Sequence, residues 1–421
     1  MSKKYFVFLA LTFTTLSMNL FGSGLMLYEI SAPRVRLGSA GWAASANDPS
    51  TVFSNPAGMT RFCSPQLEAG LEPIYLHVHF EPDENTEVLG DDGVVSPWIP
   101  AGGLFYVHPI NSQLSLGFGG LGFFGSSLKY NSDWVGRYYL TEATLQGFSA
   151  AFSAAYRVNS CLSIGAGYTP NLIVFKQKGK INNVLDSLPD GELELKDTDW
   201  GHGYYLGLLY EFNPCTRVGV QYLSDIKYHL KDVPDFKDVG PTLNNLISIT
   251  GLDQNPVVLD VRVPKMVTVG FSHDINSCLS VVGDVGWQEW SKFGKVEITL
   301  GKSSDITLTA IKKYKDAWHA ALGFEYYYCP SLLVSFGGAY DSSCVTKEER
   351  TFDFPVGEQW RFGTGFRWEI CCNTSIDAAY SLQWGGDLPI DRNRGPLAGR
   401  VSGHFVNTFA HFANISILRN F

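Results

Sequence analysis

Residues 24–59 read GLMLYEISAPRVRLGSAGWAASANDPSTVFSNPAGM, and this stretch decides how the rest of the chain is interpreted. Gly, Ala, Ser and Pro dominate it, and it has neither the alternation of a strand nor the period of an amphipathic helix. The residues that follow read as strands and turns. We therefore expect this stretch to lie inside a barrel that the remainder of the chain builds.

The composition favours a sheet with one face in lipid. The chain has 421 residues, of which 14% are aromatic and 17% are charged, with 43 glycines. That charged fraction is below the roughly 25% of soluble domains. A single large barrel is the main way in which one domain reaches this length. The net charge of -9 argues against a nucleic-acid partner.

The N-terminus has the pattern of a targeting signal. Lys3 and Lys4 precede an apolar run from Tyr5 to Leu16, and small residues follow at 22–24. This pattern predicts a secretory signal peptide over residues 1–23. A transmembrane anchor is the alternative, but the run is interrupted by Thr and Ser and is short for a span of about 20 residues. Because no later stretch is a continuous apolar helix, a membrane-spanning chain must close as a barrel.

Beyond residue 62, alternating runs are joined in turn by short turns and long loops, as in bacterial outer-membrane barrels. Turn-forming Asn, Pro and Ser recur in the short turns, as in Asn159-Ser160-Cys161 and Asn276-Ser277-Cys278. The predicted fold is all-β, a transmembrane antiparallel β-barrel of about 14 strands. A soluble β-sandwich does not accommodate so many long strands. The predicted strands are 64–80, 97–109, 112–124, 144–158, 160–176, 199–213, 214–230, 260–275, 277–298, 308–328, 331–343, 357–370, 373–385 and 403–420.

Individual side chains are expected on particular faces of this barrel. Asp284, Gln288 and Glu289 are polar within a strand, so we expect them in the lumen or near a rim. Tryptophans are expected in aromatic girdles at the two membrane interfaces. The candidates are Trp287, Trp290, Trp318, Trp360, Trp368 and Trp384.

The sequence resembles the FadL/TodX family of outer-membrane hydrophobic-compound transporters. The similarity runs from Leu25-Met26-Leu27-Tyr28-Glu29 to Asn55-Pro56-Ala57-Gly58, and returns in Trp134-Val135-Gly136-Arg137-Tyr138 and in residues 283–293. It covers nearly the whole mature chain. The resemblance implies an N-terminal hatch over residues 24–62 that plugs the lumen of a barrel over residues 63–421.

The resemblance also implies a route for a hydrophobic ligand. The ligand enters an outer groove, reaches an internal pocket and leaves sideways through the wall beside the third strand. The hatch or gate residues are then Asn55, Pro56, Ala57 and Gly58, although an ordinary turn is the alternative. Glycines weaken strand pairing and allow bulges, which suits an opening in the wall. The residues of this lateral opening are Gly119, Gly120, Gly122, Phe123, Phe124 and Gly125.

A carboxylate ligand calls for a cation, and three basic residues are candidates for its head group. These are Arg137, Lys176 and Lys178; the alternative is that they are cations of the rim or loops. In the loop 231–259, apolar residues at spacings of three and four predict a short amphipathic helix. This helix either captures lipophilic ligands or packs on neighbouring loops.

Cysteines are the main departure from the family pattern. An exported chain permits disulfides, but the connectivity is not readable from a sequence. We hypothesise disulfides between neighbouring turns, from hatch to barrel, or to other envelope proteins; free thiols are the alternative. The candidates are Cys63, Cys161, Cys215, Cys278, Cys329, Cys371 and Cys372.

The predicted function is passive uptake of long-chain fatty acids or similar hydrophobic molecules across a bacterial outer membrane, with a ligand-gated hatch. The alternatives are a channel for aromatic hydrocarbons, and a disulfide-linked structural protein or adhesin. The expected partners are the ligand, outer-membrane lipid and the barrel assembly machinery. No catalytic motif, metal site or cofactor is predicted; His77 and His79 share a strand face, but further ligands are not in view.

Overall fold

The computed structural model describes residues 26–300, 306–311 and 313–421, and the side chains outside 295–312. The predicted signal peptide lies outside the described residues. Within them, fourteen antiparallel strands form a closed barrel, which confirms the predicted fold class. The first strand closes on the last, with Gln66 opposite Asn420 and Leu71 opposite Ile415.

Several of the fourteen strands are broken into shorter segments, so the strand labels here follow the segments. They are β1 Gln66–Leu71, β2 Ile74–Pro82, β3 Gly93–Val95, β4 Trp98–Ile99, β5 Gly102–Pro109, β6 Leu114–Lys129, β7 Glu142–Arg157, β8 Leu162–Ile181, β9 Gly191–Asn213, β10 Thr216–Leu223, β11 Ile226–Asp232, β12 Asp235–Lys237, β13 Val257–Val263, β14 Met266–Asp274, β15 Leu279–Gln288, β16 Gly294–Leu300, β17 Ile306–Ile311, β18 Ala317–Cys329, β19 Leu332–Asp341, β20 Gln359–Cys371, β21 Thr374–Asn393 and β22 Arg400–Asn420. The α-helices are α1 Ala32–Arg36, α2 Thr51–Ser54 and α3 Pro241–Thr250, and the 3-10 helices are Pro56–Arg61, Val184–Asp186 and Trp290–Lys292.

The short turns close one edge of the barrel through asparagine side chains. Asn159 Oδ1 accepts hydrogen bonds from the backbone N–H groups of Cys161 and Leu162, both at 2.9 Å. Asn276 makes the same pair of bonds in the turn between β14 and β15. The recurring Asn-Ser-Cys sequence therefore folds locally, because the side chain replaces the backbone acceptors that a turn lacks.

The outer edge is more regular than predicted. Residues 386–402 were expected as a loop, but β21 continues to Asn393 and β22 begins at Arg400. Four further segments, β11, β13, β16 and β17, form a separate four-stranded sheet. In the outer parts of β21 and β22 one face is buried and apolar, with Leu388, Ile390, Val401 and Phe405 each at most 4% exposed. The glycines and prolines within residues 386–402 are typical of turns, so a loop was expected where backbone pairing in fact continues.

Four of the tryptophans predicted for the girdles are exposed, as a girdle requires, and one is buried, so the prediction is wrong for that one. Trp318, Trp360, Trp368 and Trp384 are among the exposed large apolar side chains of the barrel strands. Trp290 is fully buried and donates from Nε1 to Gln288 Oε1 at 2.6 Å. It follows the end of β15 and turns inward through a 3-10 helix, so strand alternation does not govern its direction.

Residues 26–62 form an inner segment that packs within the barrel and is almost entirely buried. Its small residues allow the backbone to approach the wall closely. Asp284 faces inward, as expected, and accepts hydrogen bonds from the backbone N–H groups of Trp42 at 2.8 Å and Ala43 at 2.9 Å. Arg36 of α1 reaches Asp377 at 2.6 Å and Glu325 at 3.1 Å. These contacts connect the inner segment to several separate strands.

None of the helices in the described part of the chain is long and apolar enough to cross a membrane.

Candidate functional site

A largely apolar cavity of about 490 Å³ lies inside the barrel beside β6. Its wall combines Leu27 of the inner segment with residues of β6 and β7, residues 353–357 of an outer loop, and residues 408–410 of β22. Small-molecule sites in proteins have volumes of roughly 300–1,000 Å³ and mostly apolar walls. The cavity therefore has the size and surface to hold a hydrophobic molecule.

The barrel wall is incomplete next to this cavity. Among the described pairings, β5 follows β6 only as far as Gly103 opposite Leu121, while β6 continues along β7 to Lys129. The β6–β7 register also shifts between Leu121 and Phe124, which is a bulge in β6. Gly125, directly after it, has a φ of 152°, a value that L side chains rarely adopt. The residues predicted for the lateral opening thus lie at and around a bulge beside unpaired β6 backbone.

The beginning of the inner segment is attached to this bulge. The Leu27 N–H donates to the Phe123 carbonyl at 2.9 Å, and Met26 forms a β-bridge with Phe124. Phe123 points inward and packs on Phe53 with ring centroids 4.9 Å apart. A displacement of residues 26–30 would therefore change both the cavity and the neighbouring wall.

A buried charge cluster holds the same residues from the other side. The Arg361 guanidinium pairs with Glu29, at 2.5 Å, and with Asp341, at 2.8 Å. Asp341 in turn contacts His319 Nδ1 at 2.8 Å, and the His319 ring stacks on Tyr28. This cluster fixes the position of the first residues of the inner segment relative to β18, β19 and β20.

The predicted gate residues lie at the contact between the inner segment and the barrel. Asn55 Nδ2 donates to the carbonyls of Ala43 at 2.6 Å and Leu208 at 3.1 Å, and its Oδ1 accepts from Ala57 N–H at 3.1 Å. Pro56 opens the 3-10 helix Pro56–Arg61, where its fixed φ is favourable and its missing N–H costs nothing. Asn55 thus caps this helix and also connects it to β9 by a hydrogen bond.

A family model described as outer membrane protein transport protein (OMPP1/FadL/TodX) matches residues 13–414. The chain belongs to this family. The long-chain fatty acid transport protein of Escherichia coli O6:H1 is 24% identical over 423 residues, which cover 93% of each chain. Outer membrane protein P1 of Haemophilus influenzae (strain ATCC 51907 / DSM 11121 / KW20 / Rd) is 23% identical over 404 residues, 85% of each chain.

Solved structures agree with the fold of this FadL/TodX family member. A Pseudomonas aeruginosa FadL homologue superposes with a TM-score of 0.82 at 20% identity, over 94% of this chain and 99% of that one. The Ralstonia pickettii toluene transporter TbuX gives a TM-score of 0.68 at 19% identity, over 94% and 99%. The predicted family, the outer-membrane location and the assignment to transport proteins rather than enzymes are confirmed.

The three predicted head-group cations do not meet in the internal cavity of this family member. Each is paired at the outer side: Arg137 with Asp190 at 3.0 Å, Lys176 with Glu142 at 2.8 Å, and Lys178 with Glu192 and Glu194, each at 3.1 Å. Burial lowers the pKa of Arg137, but its hydrogen bond to the Asp190 carboxylate contributes to a net raised pKa. The sequence could not show these pairs, because their acids come from other strands and loops.

A second, outer groove of about 100 Å³ lies beneath α3, the helix predicted in the loop 231–259. Leu243 and Ile247 of α3 line it, together with Lys178 and Arg394. Burial lowers the pKa of Arg394 to about 10, which leaves it charged at neutral pH, and its guanidinium lies 4.5 Å from the centroid of the Tyr139 ring. Sequence reasoning missed Arg394, since it lies in a loop about 140 residues away from the helix.

None of the eight cysteines, all of which lie in the described part of the chain, forms a disulfide, so the hypothesised disulfides are not present in the structure. Most of the seven candidates lie in the short turns of one edge. Neighbouring turns are two strand spacings apart, about 10 Å, whereas bridged cysteines have Cα atoms within about 7 Å. A disulfide between adjacent turns would therefore need backbone movement. Disulfide formation by the candidate cysteines stays a prediction.

The structure adds cavity residues that sequence reasoning had placed elsewhere or passed over. The outer loop 344–356 folds inward, where Phe352 packs on Phe80 and Trp134, and residues 353–357 line the cavity. Gln359 and Thr408 also line it, from β20 and β22. Their only sequence signal was a polar side chain on a strand, which dozens of other positions share.

Proposed function

We propose that this chain passes long-chain fatty acids or similar hydrophobic molecules across the outer membrane by passive diffusion. The observation that carries the proposal is the apolar cavity of about 490 Å³ beside the unpaired part of β6. The fatty acid transport proteins named above provide the comparison. Residues of β5 and β6 line both the cavity and the gap between these two strands. A ligand in the cavity therefore has a short path through the wall into the membrane.

The route begins at the outer groove in this proposal. An apolar chain would lie against Leu243 and Ile247 of α3, with Lys178 and Arg394 near a polar end. It would then enter the cavity and leave sideways between β5 and β6. Gly119, Gly120, Gly122, Phe123, Phe124 and Gly125 are assigned to this lateral opening. Lys176 and Arg137 are assigned only to the outer side, where acids already pair with them.

We further propose that residues 24–62 act as a hatch within a barrel of residues 63–421. Asn55, Pro56, Ala57 and Gly58 form its gate, since they connect the inner segment to the wall. Leu27 couples this hatch to the cavity and to Phe123 of the bulge. Ligand binding that displaces residues 26–30 would therefore loosen the hatch and open the wall together.

Uptake of labelled oleate tests the proposal. Cells that lack their own long-chain fatty acid transport protein would express wild type, Asn55→Ala or the control Asn85→Ala, which is exposed in an outer loop. We expect uptake by wild type and by the control, and an altered uptake rate in Asn55→Ala because three hydrogen bonds of the gate are lost. The same negligible uptake in all three strains, with folded protein in the membrane, would refute a transport function.

One observation favours a second candidate, a structural anchor. Cys161, Cys215, Cys278 and Cys371 are free and lie at short turns of a single edge. A barrel that faces the periplasm with several thiols is suited to disulfides with other envelope proteins, alongside contacts to outer-membrane lipid and the assembly machinery. Non-reducing electrophoresis of cells with and without thiol trapping decides it. Unchanged mobility and free thiols throughout would exclude a covalent partner.

A further inference from the structure

The outer groove and the internal cavity are separate spaces. Among the described residues, none lines both: the groove is formed by α3, residues 177–182 and residues 394–398, among others, whereas the cavity is formed largely by β6, β7, residues 353–357 and β22. A ligand that moves from the groove to the cavity must therefore cross the side chains that lie between them.

Two aromatic rings lie between the groove and the cavity. Tyr139 lines the groove, and the centroid of its ring is 5.1 Å from the centroid of the Phe352 ring. Arg394, which also lines the groove, contacts the same Tyr139 ring with its guanidinium. On the other side, Phe352 is followed directly by Asp353, which lines the cavity. Along these residues, the barrier is one Tyr ring and one Phe ring thick.

This barrier is closed by dense aromatic packing. The Phe352 ring is 3% exposed and packs against Phe80, Trp134 and Phe405, with centroid distances of 5.4, 5.5 and 6.1 Å. Trp134 is fully buried and stacks on Tyr130 at 4.1 Å. Protein interiors packed in this way have few voids larger than a water molecule. A ligand cannot cross unless one of the rings moves. The name aromatic partition is used below for Tyr130, Trp134, Tyr139 and Phe352.

Phe352 is the ring of the aromatic partition that moves most easily. Tyr139 Oη lies 2.6 and 2.8 Å from two backbone carbonyl oxygens, and Trp134 Nε1 donates to a third at 2.7 Å. Tyr130 Oη donates to the Phe352 carbonyl at 3.0 Å. The Phe352 ring has no polar atom, so packing alone holds it, and a change of its rotamer breaks no hydrogen bond.

The width of the passage follows from this arrangement. A Phe352 ring that rotates stays attached to its backbone and meets densely packed neighbours, so it vacates only part of its own volume. An unbranched alkyl chain is narrower than an aromatic ring and fits through a smaller opening. We propose that Phe352 is the specificity-determining residue of the passage from groove to cavity, and that it favours unbranched alkyl chains over chains that end in an aromatic ring. This inference rests on the proposed function and names its substrate class.

Uptake of labelled palmitate and labelled ω-phenyldodecanoate tests this selection in cells that lack their own long-chain fatty acid transport protein. The second acid ends in the same ring that Phe352→Ala removes. Apolar sites discriminate between groups of different size by about tenfold or more, so wild type should take up palmitate about tenfold faster. In Phe352→Ala this ratio should fall to about one, because the deleted ring leaves room for the ring of the ligand.

Two more variants complete the comparison. Phe352→Leu fills part of the same volume and should give an intermediate ratio. Phe336→Ala removes an exposed ring of the barrel strands, outside the aromatic partition, and should keep the ratio of wild type. Because the same cells process both acids in every strain, a change in the ratio between strains reports passage through the barrel.

The outcomes separate this inference from the proposed function. Equal uptake of the two acids by wild type, or a wild-type ratio in both Phe352 variants, would overturn the role of Phe352 and leave transport intact. Uptake of neither acid by folded wild type would overturn the proposed function, and this inference with it. Heat-modifiable migration in electrophoresis shows whether each variant is folded. Phe352→Leu removes less volume, so it tests the inference if Phe352→Ala does not fold.

Discussion

Replacement of Gly165 by Ala is expected to dislodge the inner segment without opening the barrel. Gly165 lies on β8 beneath the gate, where a Cβ atom would be 2.5 Å from the Ala57 nitrogen and 2.6 Å from the Pro56 carbonyl carbon. Contacts between such atoms normally lie near 3.5–4.0 Å. Both neighbours are backbone atoms, so no change of rotamer relieves the overlap. The inner segment must move or remain strained.

The size of the effect follows from these contacts. Overpacking of this kind costs about 1–3 kcal/mol. A displaced inner segment also loses the Asn55 bonds to Ala43 at 2.6 Å and Leu208 at 3.1 Å. We therefore expect local opening to become easier by about 2–3 kcal/mol, which corresponds to roughly 30- to 150-fold in the opening equilibrium.

Hydrogen exchange of the backbone amides of residues 51–62 measures this opening directly. Their protection should fall by about that factor in Gly165→Ala, while amides of β8 and β9 keep theirs. Gly120→Ala is the control, because a Cβ atom there would meet nothing within 4 Å. Gly207→Ala presses on the same segment from β9 and should reproduce the effect. Unchanged protection at residues 51–62 in folded Gly165→Ala and Gly207→Ala would refute the reasoning.

Three further substitutions extend the same reasoning. Arg361→Met leaves Glu29 and Asp341 without their buried partner and should cost about 3–5 kcal/mol, read as a lower urea midpoint; an unchanged midpoint would contradict this. Gly125→Val introduces a branched side chain at a φ of 152°, where the strained backbone costs about 1–3 kcal/mol. We therefore expect oleate uptake to fall about tenfold. Uptake equal to wild type would show that this bulge is not on the route. Leu243→Asp places a charge on the buried face of α3 and should weaken oleate binding about tenfold, since an unpaired buried charge is unfavourable, whereas Ile249→Asp, on the exposed face, should not.

The fold was largely accessible from the sequence because its determinants are local. The period of two along each strand and the Asn-Ser-Cys turns depend only on residues a few positions apart, and both were recognised. The outer parts of β21 and β22 were missed, since the glycines and prolines of residues 386–402 predict turns while the backbone pairing continues through them. Helix α3 was predicted because its apolar spacing is also local.

The site was less accessible, since its parts come from distant residues. Arg137, Lys176 and Lys178 were reasonable head-group candidates by charge alone, but the fold pairs each with an acid on another strand or loop. The inward fold of the loop 344–356 depends on the packing of Phe352 against other strands and a loop, and its sequence does not show this.

The sequence by itself determined a closed antiparallel barrel, the small-residue segment inside it, and the family to which the chain belongs. Only the tertiary structure decided how the inner segment, described over residues 26–62, is held: by Asn55 at β9, Arg361 at Glu29, and Leu27 at the β6 bulge. It also decided the chemistry of the cavity. Strand alternation predicts which way a side chain points. The charge and hydrogen bonding of a cavity depend instead on which strands, distant in the sequence, come together around it.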